Sequence, residues 1–350
     1  MQRVQKVQKV HKVLEEAVEA KAFPAAVVEV GDATRVLWSD AFGQLTFEPN
    51  SRPAQLDTVF DLASLTKVLS TTAIVMQDVE RGAIALDEPV SHYIPAWTGA
   101  DRARVTIRDL LAHCGGLPAH LHLYRTMSGR EAIEHAICAT PLAYEPRTRS
   151  VYSDLGFMLL GFLLGDRVPL PERFAAVRAQ MGIVEDLQFH PPALWRTRIT
   201  PTEEPFRRRV LIGEVSDENA AAVGGAAGHA GLFGTAAAVG QHARHLLQVL
   251  AGSVGAVQRR TLEEFIAKRE DIPDSSRALG WDTMLPTSSC GTHMSARSFG
   301  HTGFTGTSLW IDPDRGIYIV LLTNRVHPSH ATDAIRHVRP AVHDAVMTGI

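Results

Sequence analysis

Residues 60–69, FDLASLTKVL, place one lysine within an apolar run that follows a short strand-like segment. Residues three apart on an α-helix share one face, with about 5–6 Å between their Cβ atoms, so Ser64 and Lys67 would be neighbours. Two interpretations are open. Either the Lys67 side chain extends harmlessly to water, or the two side chains are a nucleophile and its base.

The surroundings of this pair favour the second interpretation. A serine at a helix start lies where the N-terminal dipole stabilises negative charge. Leu65, Val68 and Leu69 surround the lysine in sequence, and burial would lower the pKa of Lys67 toward that of a usable base. A lone Ser-x-x-Lys pattern is nevertheless weakly specific, because about one is expected by chance in a chain of this length.

Composition limits the class of protein. The chain has 350 residues, of which 45% are hydrophobic and 21% charged, and a net charge of −3. This predicts a globular fold and argues against binding to nucleic acid or to an anionic membrane. The three cysteines are far apart, and the first 20 residues lack the apolar segment of a signal peptide. We therefore expect no disulfide framework, no membrane span and a cytoplasmic location.

Strand-like segments lie near both ends of the chain, whereas the middle reads as helices joined by Pro- and Gly-containing loops. This predicts an α/β (α+β) fold with one antiparallel sheet, made from both ends and flanked by the N- and C-terminal helices. An all-α subdomain would be inserted into it. The expected division is 1–82 plus 216–350 for the α/β part and 83–215 for the helical part, with the active site at their interface.

A second stretch, VYSDLGF at residues 151–157, places Tyr152 just before a predicted helix. In the simpler interpretation Ser153 or Asp154 caps that helix and the tyrosine packs in the core. Alternatively, the Tyr152 oxygen lies near a lysine ammonium, which would keep it anionic or strongly hydrogen-bonded and let it carry protons.

A third stretch, GHTGFTGTSLWIDP at residues 300–313, predicts a strand that ends at His301-Thr302-Gly303 and a glycine turn into the next strand. A glycine there lets a substrate approach the backbone closely. The backbone N–H of Phe304 could then join that of Ser64 as an oxyanion donor. The alternative is a hairpin turn whose polar residues have no role.

Together, SLTK, YSD and HTG, in this order, resemble the class C-like, β-lactamase-related branch of the serine β-lactamase and penicillin-binding-protein superfamily. That branch carries S-x-x-K, then Y-x-N, then K/H-T-G. Flanking stretches such as LDEPVSHYIPAW and IYIVLLTNRVHP also match, so the resemblance covers roughly residues 10–345.

The resemblance implies a β-lactamase/transpeptidase-like fold and a serine hydrolase without a cofactor that works through an acyl-enzyme. By position, Ser64 would be the acylated nucleophile, with Lys67 and Tyr152 as the general base pair. The N–H groups of Ser64 and Phe304 would form the oxyanion hole. The substrate-binding residues would lie at four positions: Asp154, His301, Thr302 and Gly303.

Two departures from the pattern affect the expected substrate. Asp154 replaces an asparagine, which exchanges an amide donor for an acceptor that repels anions. His301 replaces a lysine, so a fixed cation is lost or made pH-dependent, and an unperturbed histidine titrates near pH 6.5, roughly. Both changes favour esters, amides or small peptides as substrates. A D-Ala-D-Ala carboxypeptidase or β-lactamase is the alternative, and a ligand-binding protein without turnover is a second. The sequence leaves the natural substrate and the oligomeric state open.

The histidines raise the question of a metal. His113, His120 and His122 cluster in sequence, but no H-E-x-x-H or H-x-x-E-H pattern occurs, so we expect no metal site. His229 lies in a glycine-rich stretch, residues 220–234, that precedes a predicted helix. It would either face the cleft or bond to the loop backbone.

Overall fold

The computed structural model describes residues 2–204, 206–329 and 331–349. Its strands are β1 Ala25–Asp32, β2 Val36–Gly43, β3 Phe60–Asp61, β4 Leu187–Phe189, β5 Thr202–Glu204, β6 Arg209–Leu211, β7 Leu232–Gly234, β8 Asp282–Thr283, β9 Phe299–Thr302, β10 Ser308–Asp312 and β11 Ile317–Thr323. The main sheet has six strands in the order β2-β1-β11-β10-β9-β8, with every neighbouring pair antiparallel. The predicted antiparallel sheet from both ends of the chain is confirmed.

The helices are α1 Gln2–Glu19, α2 Ala73–Glu80, α3 Val90–Tyr93, α4 Ile107–Leu111, α5 Arg130–Ala139, α6 Asp154–Leu164, α7 Leu170–Gln180, α8 Glu218–Ala222, α9 Ala236–Leu250, α10 Arg259–Ile266 and α11 Ile335–Met347. Among the helices in the described part of the chain, none combines the length and the apolar character that a membrane crossing needs.

Strand β11 shows why the sheet needs helices on both faces. All seven of its residues are buried, and successive side chains of a strand point to opposite faces. Ile317, Ile319 and Leu321 pack in the core shared with α1 and α11. Tyr318, Val320 and Leu322 pack in the larger core on the other face, which includes α9. The terminal helices therefore flank the sheet on one face, as predicted.

The middle of the chain is mainly helical, with α3 to α7 lying between residues 90 and 180. It is not wholly helical. Strand β4 pairs with β7, which also pairs with β3 in a second sheet, and β5 pairs with β6. The prediction of an all-α insertion is therefore wrong in this detail, because β7 has two edges whose backbone groups require partners. The division at residues 83–215 stays a prediction.

The segment that opened the sequence analysis starts as predicted but has an unexpected form. Ser64 lies in a turn after β3, and the following helix begins at Leu65. From Lys67 to Thr72 this helix is π-helical, and it becomes α-helical at Ala73. Single π-turns are rare and occur frequently at functional sites.

Two glycines bring helix α6 against the glycine-rich loop. A Cβ added to Gly161 would come within 2.5 Å of the Gly228 backbone nitrogen, and one added to Gly228 would come within 2.1 Å of the Phe157 carbonyl oxygen. The two backbones can approach this closely only because neither residue has a side chain. The contact sets the distance between α6, which begins at Asp154, and the backbone of His229.

We expect Gly161→Ala to lower the free energy of unfolding by about 1–3 kcal/mol, the usual cost of overpacking. Gly156→Ala is the matched control in the same helix, because its Cβ would make only ordinary contacts, the nearest at 3.5 Å from the Leu110 carbonyl. That variant should be neutral or up to about 1 kcal/mol more stable. Urea unfolding of both variants measures the difference, and equal effects would contradict the packing argument.

Candidate active site

The backbone before Ser64 is strained and is held by a buried carboxylate. Ala63 has a φ of 46°, a conformation that non-glycine residues rarely adopt. Its N–H donates to Asp61 Oδ1 at 2.9 Å, and the N–H of Ser216 donates to Asp61 Oδ2 at 2.7 Å. Burial raises the pKa of Asp61 to about 6, although both hydrogen bonds lower it. Asp61 thereby fixes the turn that presents Ser64.

The ammonium of Lys67 is fully buried and points at Ser64. Its Nζ lies 3.0 Å from Ser64 Oγ, 2.7 Å from Asp154 Oδ1 and 3.2 Å from the carbonyl oxygen of His229. An ammonium has three donors, and each has an acceptor here. The alternative of a lysine extending to water is therefore excluded.

The predicted sign of the Lys67 pKa shift is wrong. Burial does lower the pKa of Lys67, but the charge of Asp154, followed by Tyr152 and the hydrogen bonds of both, outweighs burial and raises it overall. At neutral pH the lysine is an ammonium that donates to the serine oxygen. It cannot also accept the serine proton in this state.

Tyr152 lies beside both members of the pair. The centre of its ring is 4.9 Å from Lys67 Nζ, and the charge of Lys67 favours the ionised form of Tyr152. Burial is the stronger effect and raises the pKa of Tyr152. Ser153 is at the N-cap of α6 as expected, but its hydroxyl donates to the Pro118 carbonyl oxygen and accepts no hydrogen bond from a helix N–H.

Asp154 is paired with two groups of the protein, and its part in substrate binding stays a prediction. Its carboxylate forms the ion pair with Lys67 through Oδ1, and Oδ2 lies 3.4 Å from His120 Nδ1. Burial alone would raise the pKa of Asp154, but the Lys67 charge and the His120 hydrogen bond lower it strongly. The same contact with Asp154 raises the pKa of His120.

Two other histidines of the site, His229 and His113, form hydrogen bonds with neighbouring groups of the protein. His229 is buried, pairs with Asp217 at 2.8 Å, and gives its carbonyl oxygen to Lys67. The Nδ1 atom of His113 accepts from the N–H of Ser153 at 3.1 Å. Among the residues that the structure describes, no three His, Cys, Asp or Glu side chains are arranged to hold a metal ion.

His301 lies at the site, but its predicted charge is not supported. Its ring centre is 5.7 Å from that of Tyr152, and Nδ1 donates to the carbonyl oxygen of Thr302 at 2.8 Å. Burial first, and then the charges of Arg277 and Lys67, hold the pKa of His301 well below its usual value. Of the two expected outcomes, the direction of this shift favours the loss of the fixed cation, and the residue is only 3% exposed.

The turn after His301 is fastened to the segment before Ser64. Thr305 Oγ1 donates to the carbonyl oxygen of Asp61 at 2.8 Å, and Thr307 Oγ1 donates to that of Leu62 at 3.1 Å. A Cβ on Gly303 would come within 2.6 Å of the same Leu62 oxygen. Thr302 ends strand β9 and is partly exposed. The adjacent Phe304 side chain is 57% exposed.

Sequence reasoning missed one cation at the site. The guanidinium carbon of Arg277 lies 5.2 Å from the centre of the Tyr152 ring, and its charge lowers the pKa of both His113 and His301. Its nearest carboxylate in the described part of the chain, Asp282, is 3.9 Å away. No spacing pattern links Arg277 to the three motifs. His120 and Asp217 were missed for the same reason.

The arrangement unites the three motifs around one serine, and the comparison with known families agrees with it. The β-lactamase family model matches residues 10–342. The chain belongs to the β-lactamase family. Like the family members it resembles, this β-lactamase-family protein is a serine hydrolase, which confirms the class predicted from SLTK, YSD and HTG.

Two relatives match most of this β-lactamase-family protein. The N-acetylmuramyl-L-alanine amidase of Bacillus subtilis (strain 168) is 32% identical over 354 aligned positions, which cover 88% of this chain and 78% of the amidase. The putative D-alanyl-D-alanine carboxypeptidase of Escherichia coli (strain K12) is 30% identical over 314 positions, which cover 78% of this chain and 70% of that protein.

Solved structures confirm the β-lactamase and penicillin-binding-protein fold. A penicillin-binding protein homologue from Caulobacter crescentus superposes with a TM-score of 0.76 at 19% identity, covering 99% of this chain and 98% of that one. EstCE1, a hydrolase with promiscuous acyltransferase activity, superposes with a TM-score of 0.73 at 20% identity, covering 99% of both chains. At these identities the likeness concerns the fold alone.

We expect Asp154→Asn to lower the pKa of Lys67, because the charge of Asp154 is the largest effect that raises it. The chain contains only six lysines, so NMR titration of lysine ε-carbons can resolve Lys67. His120→Gln is the control, since it removes the contact with Asp154 Oδ2 and leaves the ion pair of Asp154 with Lys67. A Lys67 titration that is unchanged in Asp154→Asn would refute this account of the ion pair.

Proposed function

We propose that this protein cleaves amide bonds in small peptide-like substrates through an acyl-enzyme on Ser64. The observation that carries the proposal is the Lys67 ammonium, held between Ser64 Oγ and Asp154 Oδ1 beside the Tyr152 hydroxyl. A serine whose oxygen accepts from a buried ammonium, with a tyrosine beside that ammonium, is arranged for nucleophilic attack.

In the proposed acylation step, Ser64 Oγ attacks the substrate carbonyl carbon and its proton passes to the oxygen of Tyr152. Tyr152 is the accepting member of the pair, because Lys67 already donates to the serine oxygen. The ammonium beside it stabilises the phenolate that must be present at the moment of attack. Burial makes that phenolate a minority form, so the neighbouring charge is essential to the step.

The second half of the step returns the proton. The carbonyl oxygen becomes an oxyanion that the N–H groups of Ser64 and Phe304 stabilise. When the tetrahedral intermediate collapses, the C–N bond breaks and Tyr152 gives its proton to the leaving nitrogen. Water then attacks the acyl-enzyme by the same sequence, with Tyr152 taking the proton of the water and Ser64 leaving.

The substrate is proposed to carry a carboxylate near the scissile bond, with Arg277 as its partner. His301 could bind an anionic group only as the imidazolium, but burial and nearby cations hold its pKa well below the usual value. The Arg277 guanidinium is one-fifth exposed, lies over Tyr152, and has a carboxylate no nearer than 3.9 Å in the described residues. The amidase and the putative carboxypeptidase among the relatives support amide cleavage. His301, Thr302 and Gly303 then line the substrate side as proposed positions.

The geometry of the site fits a D-Ala-D-Ala carboxypeptidase better than it fits a ligand-binding protein without turnover. A D-Ala-D-Ala carboxypeptidase would use the same nucleophile, with Arg277 bound to the terminal carboxylate. A ligand-binding protein without turnover has no need for a lysine at 3.0 Å from the serine oxygen, so we regard it as the weaker candidate.

We expect Ser64→Ala to abolish hydrolysis of an activated ester and labelling by a fluorophosphonate, because both require the Ser64 oxygen. Ser70→Ala is the matched control: Ser70 is a buried serine in the same helix, and its hydroxyl has no hydrogen-bond partner among the described residues. Its labelling and turnover should equal those of the wild type. Intact mass spectrometry reads the adduct, and labelling that persists in Ser64→Ala would overturn the assignment.

We expect Arg277→Met to raise KM for a carboxylate-bearing amide by roughly tenfold to a hundredfold, the worth of a hydrogen bond to a charged group. KM for a neutral ester of matched size should change little. Arg277→Lys should retain part of the discrimination, since the charge remains but the two-pronged geometry is lost. Equal changes in KM for both substrates would show that Arg277 does not bind the carboxylate.

A further inference from the structure

The C-terminal helix places a buried arginine directly behind the turn that follows His301. Arg339 of α11 is 8% exposed, and its Nη2 donates to the carbonyl oxygen of Gly303 at 2.6 Å and to that of Thr307 at 2.9 Å. Both carbonyls belong to the turn between β9 and β10. The same turn is also hydrogen-bonded to residues 61–62, which directly precede the turn that carries Ser64.

The first of these carbonyls shares a peptide unit with the N–H proposed as an oxyanion donor. The Gly303 carbonyl and the Phe304 N–H are the two ends of one amide, and the only cis peptide in the described residues is His327-Pro328. In a trans peptide the C=O and N–H bonds point in opposite directions. Because Arg339 of α11 binds the Gly303 oxygen, the Phe304 N–H points away from α11.

The charge on Arg339 is not neutralised by an acid. Within the described residues, no Asp or Glu oxygen lies within 4 Å of its guanidinium. The guanidinium donates instead to two backbone carbonyl oxygens. Burial and the charge of Arg325 lower the pKa of Arg339 to about 9, so the side chain is still cationic at neutral pH. A buried cation without an acid is costly, and a role in the reaction explains its presence.

We propose that Arg339 is a positioning residue for the oxyanion hole: its guanidinium fixes and polarises the Gly303–Phe304 peptide, which strengthens the Phe304 N–H as a donor. A hydrogen bond to one end of an amide strengthens the bond made at the other end, and the effect is larger in a buried site. A charged donor at 2.6 Å is a strong source of such polarisation. The inference rests on the proposed function, since it assumes an acyl-enzyme on Ser64.

The neighbouring Arg325 provides a matched control. Its Nε donates to the carbonyl oxygen of Phe304 at 2.8 Å, and its Nη1 donates to that of Thr332 at 3.2 Å. This arginine holds the same turn by the same chemistry, but the carbonyl it binds belongs to the next peptide unit. Loss of Arg325 should loosen the turn without removing the charge behind the Phe304 N–H.

The test compares Arg339→Met with Arg325→Met in the full chain. Infrared difference spectra of the acyl-enzyme, trapped by rapid mixing with an isotope-labelled nitrophenyl ester, report how strongly the hole polarises the acyl carbonyl. In Arg339→Met we expect the carbonyl band to move to higher frequency and kcat to fall about tenfold to a hundredfold. This decrease is smaller than the one caused by removing an oxyanion-hole donor completely. The KM for the neutral ester should change little. Arg325→Met should keep the wild-type band.

Each outcome decides the matter. An unchanged band in Arg339→Met, or the same band shift in both variants, overturns the role of Arg339. If Arg339→Met does not fold, the comparison passes to Arg339→Gln against Arg325→Gln, which keep a donor but remove the charge; a shift in the first alone supports the role and no shift overturns it. Failure of the wild-type protein to form any acyl-enzyme overturns the proposed function, and the inference falls with it.

Discussion

A fully buried ammonium is the constraint around which this site is organised. Removing a lysine from water is expensive unless its donors are satisfied and its charge is paired. Lys67 meets that requirement with oxygens from three segments that are distant in sequence: the turn before its own helix, the start of α6, and the glycine-rich loop. The three hydrogen bonds of the Lys67 ammonium thus connect the elements that form the candidate active site.

The packing around the ammonium depends on small residues and buried carboxylates. Gly161 and Gly228 let α6 and the loop approach, so that both the Asp154 carboxylate and the His229 carbonyl reach Lys67. Asp61 and Asp217 anchor the surrounding backbone through hydrogen bonds to N–H groups and to His229. Donors and charges that the fold holds in place in this way favour electrostatic stabilisation of developing charge.

The protein environment of Asp154 and of His301 explains the two departures from the family pattern. Asp154 is the counterion of Lys67 and raises its pKa, so the carboxylate is taken up by the protein and is not presented to the substrate. His301 is neutral because burial and two nearby cations disfavour its protonation. Cationic character at the cleft comes instead from Arg277, and behind the neighbouring turn from Arg339, neither of which belongs to a recognised motif.

The sequence by itself determined the sheet built from both chain ends, the helix that begins after Ser64, and the family, because these follow from hydrophobic periodicity and from short ordered motifs. It did not determine the π-helical turn, the strands within the helical middle, or the protonation states of Lys67 and His301. A pKa depends on the distances to nearby charges. Along the chain, Asp154 lies 87 residues from Lys67, and Arg277 lies 24 residues from His301. Only the tertiary structure brings those groups close enough for the charge of Asp154 to outweigh burial at Lys67 and for the charge of Arg277 to reinforce burial at His301.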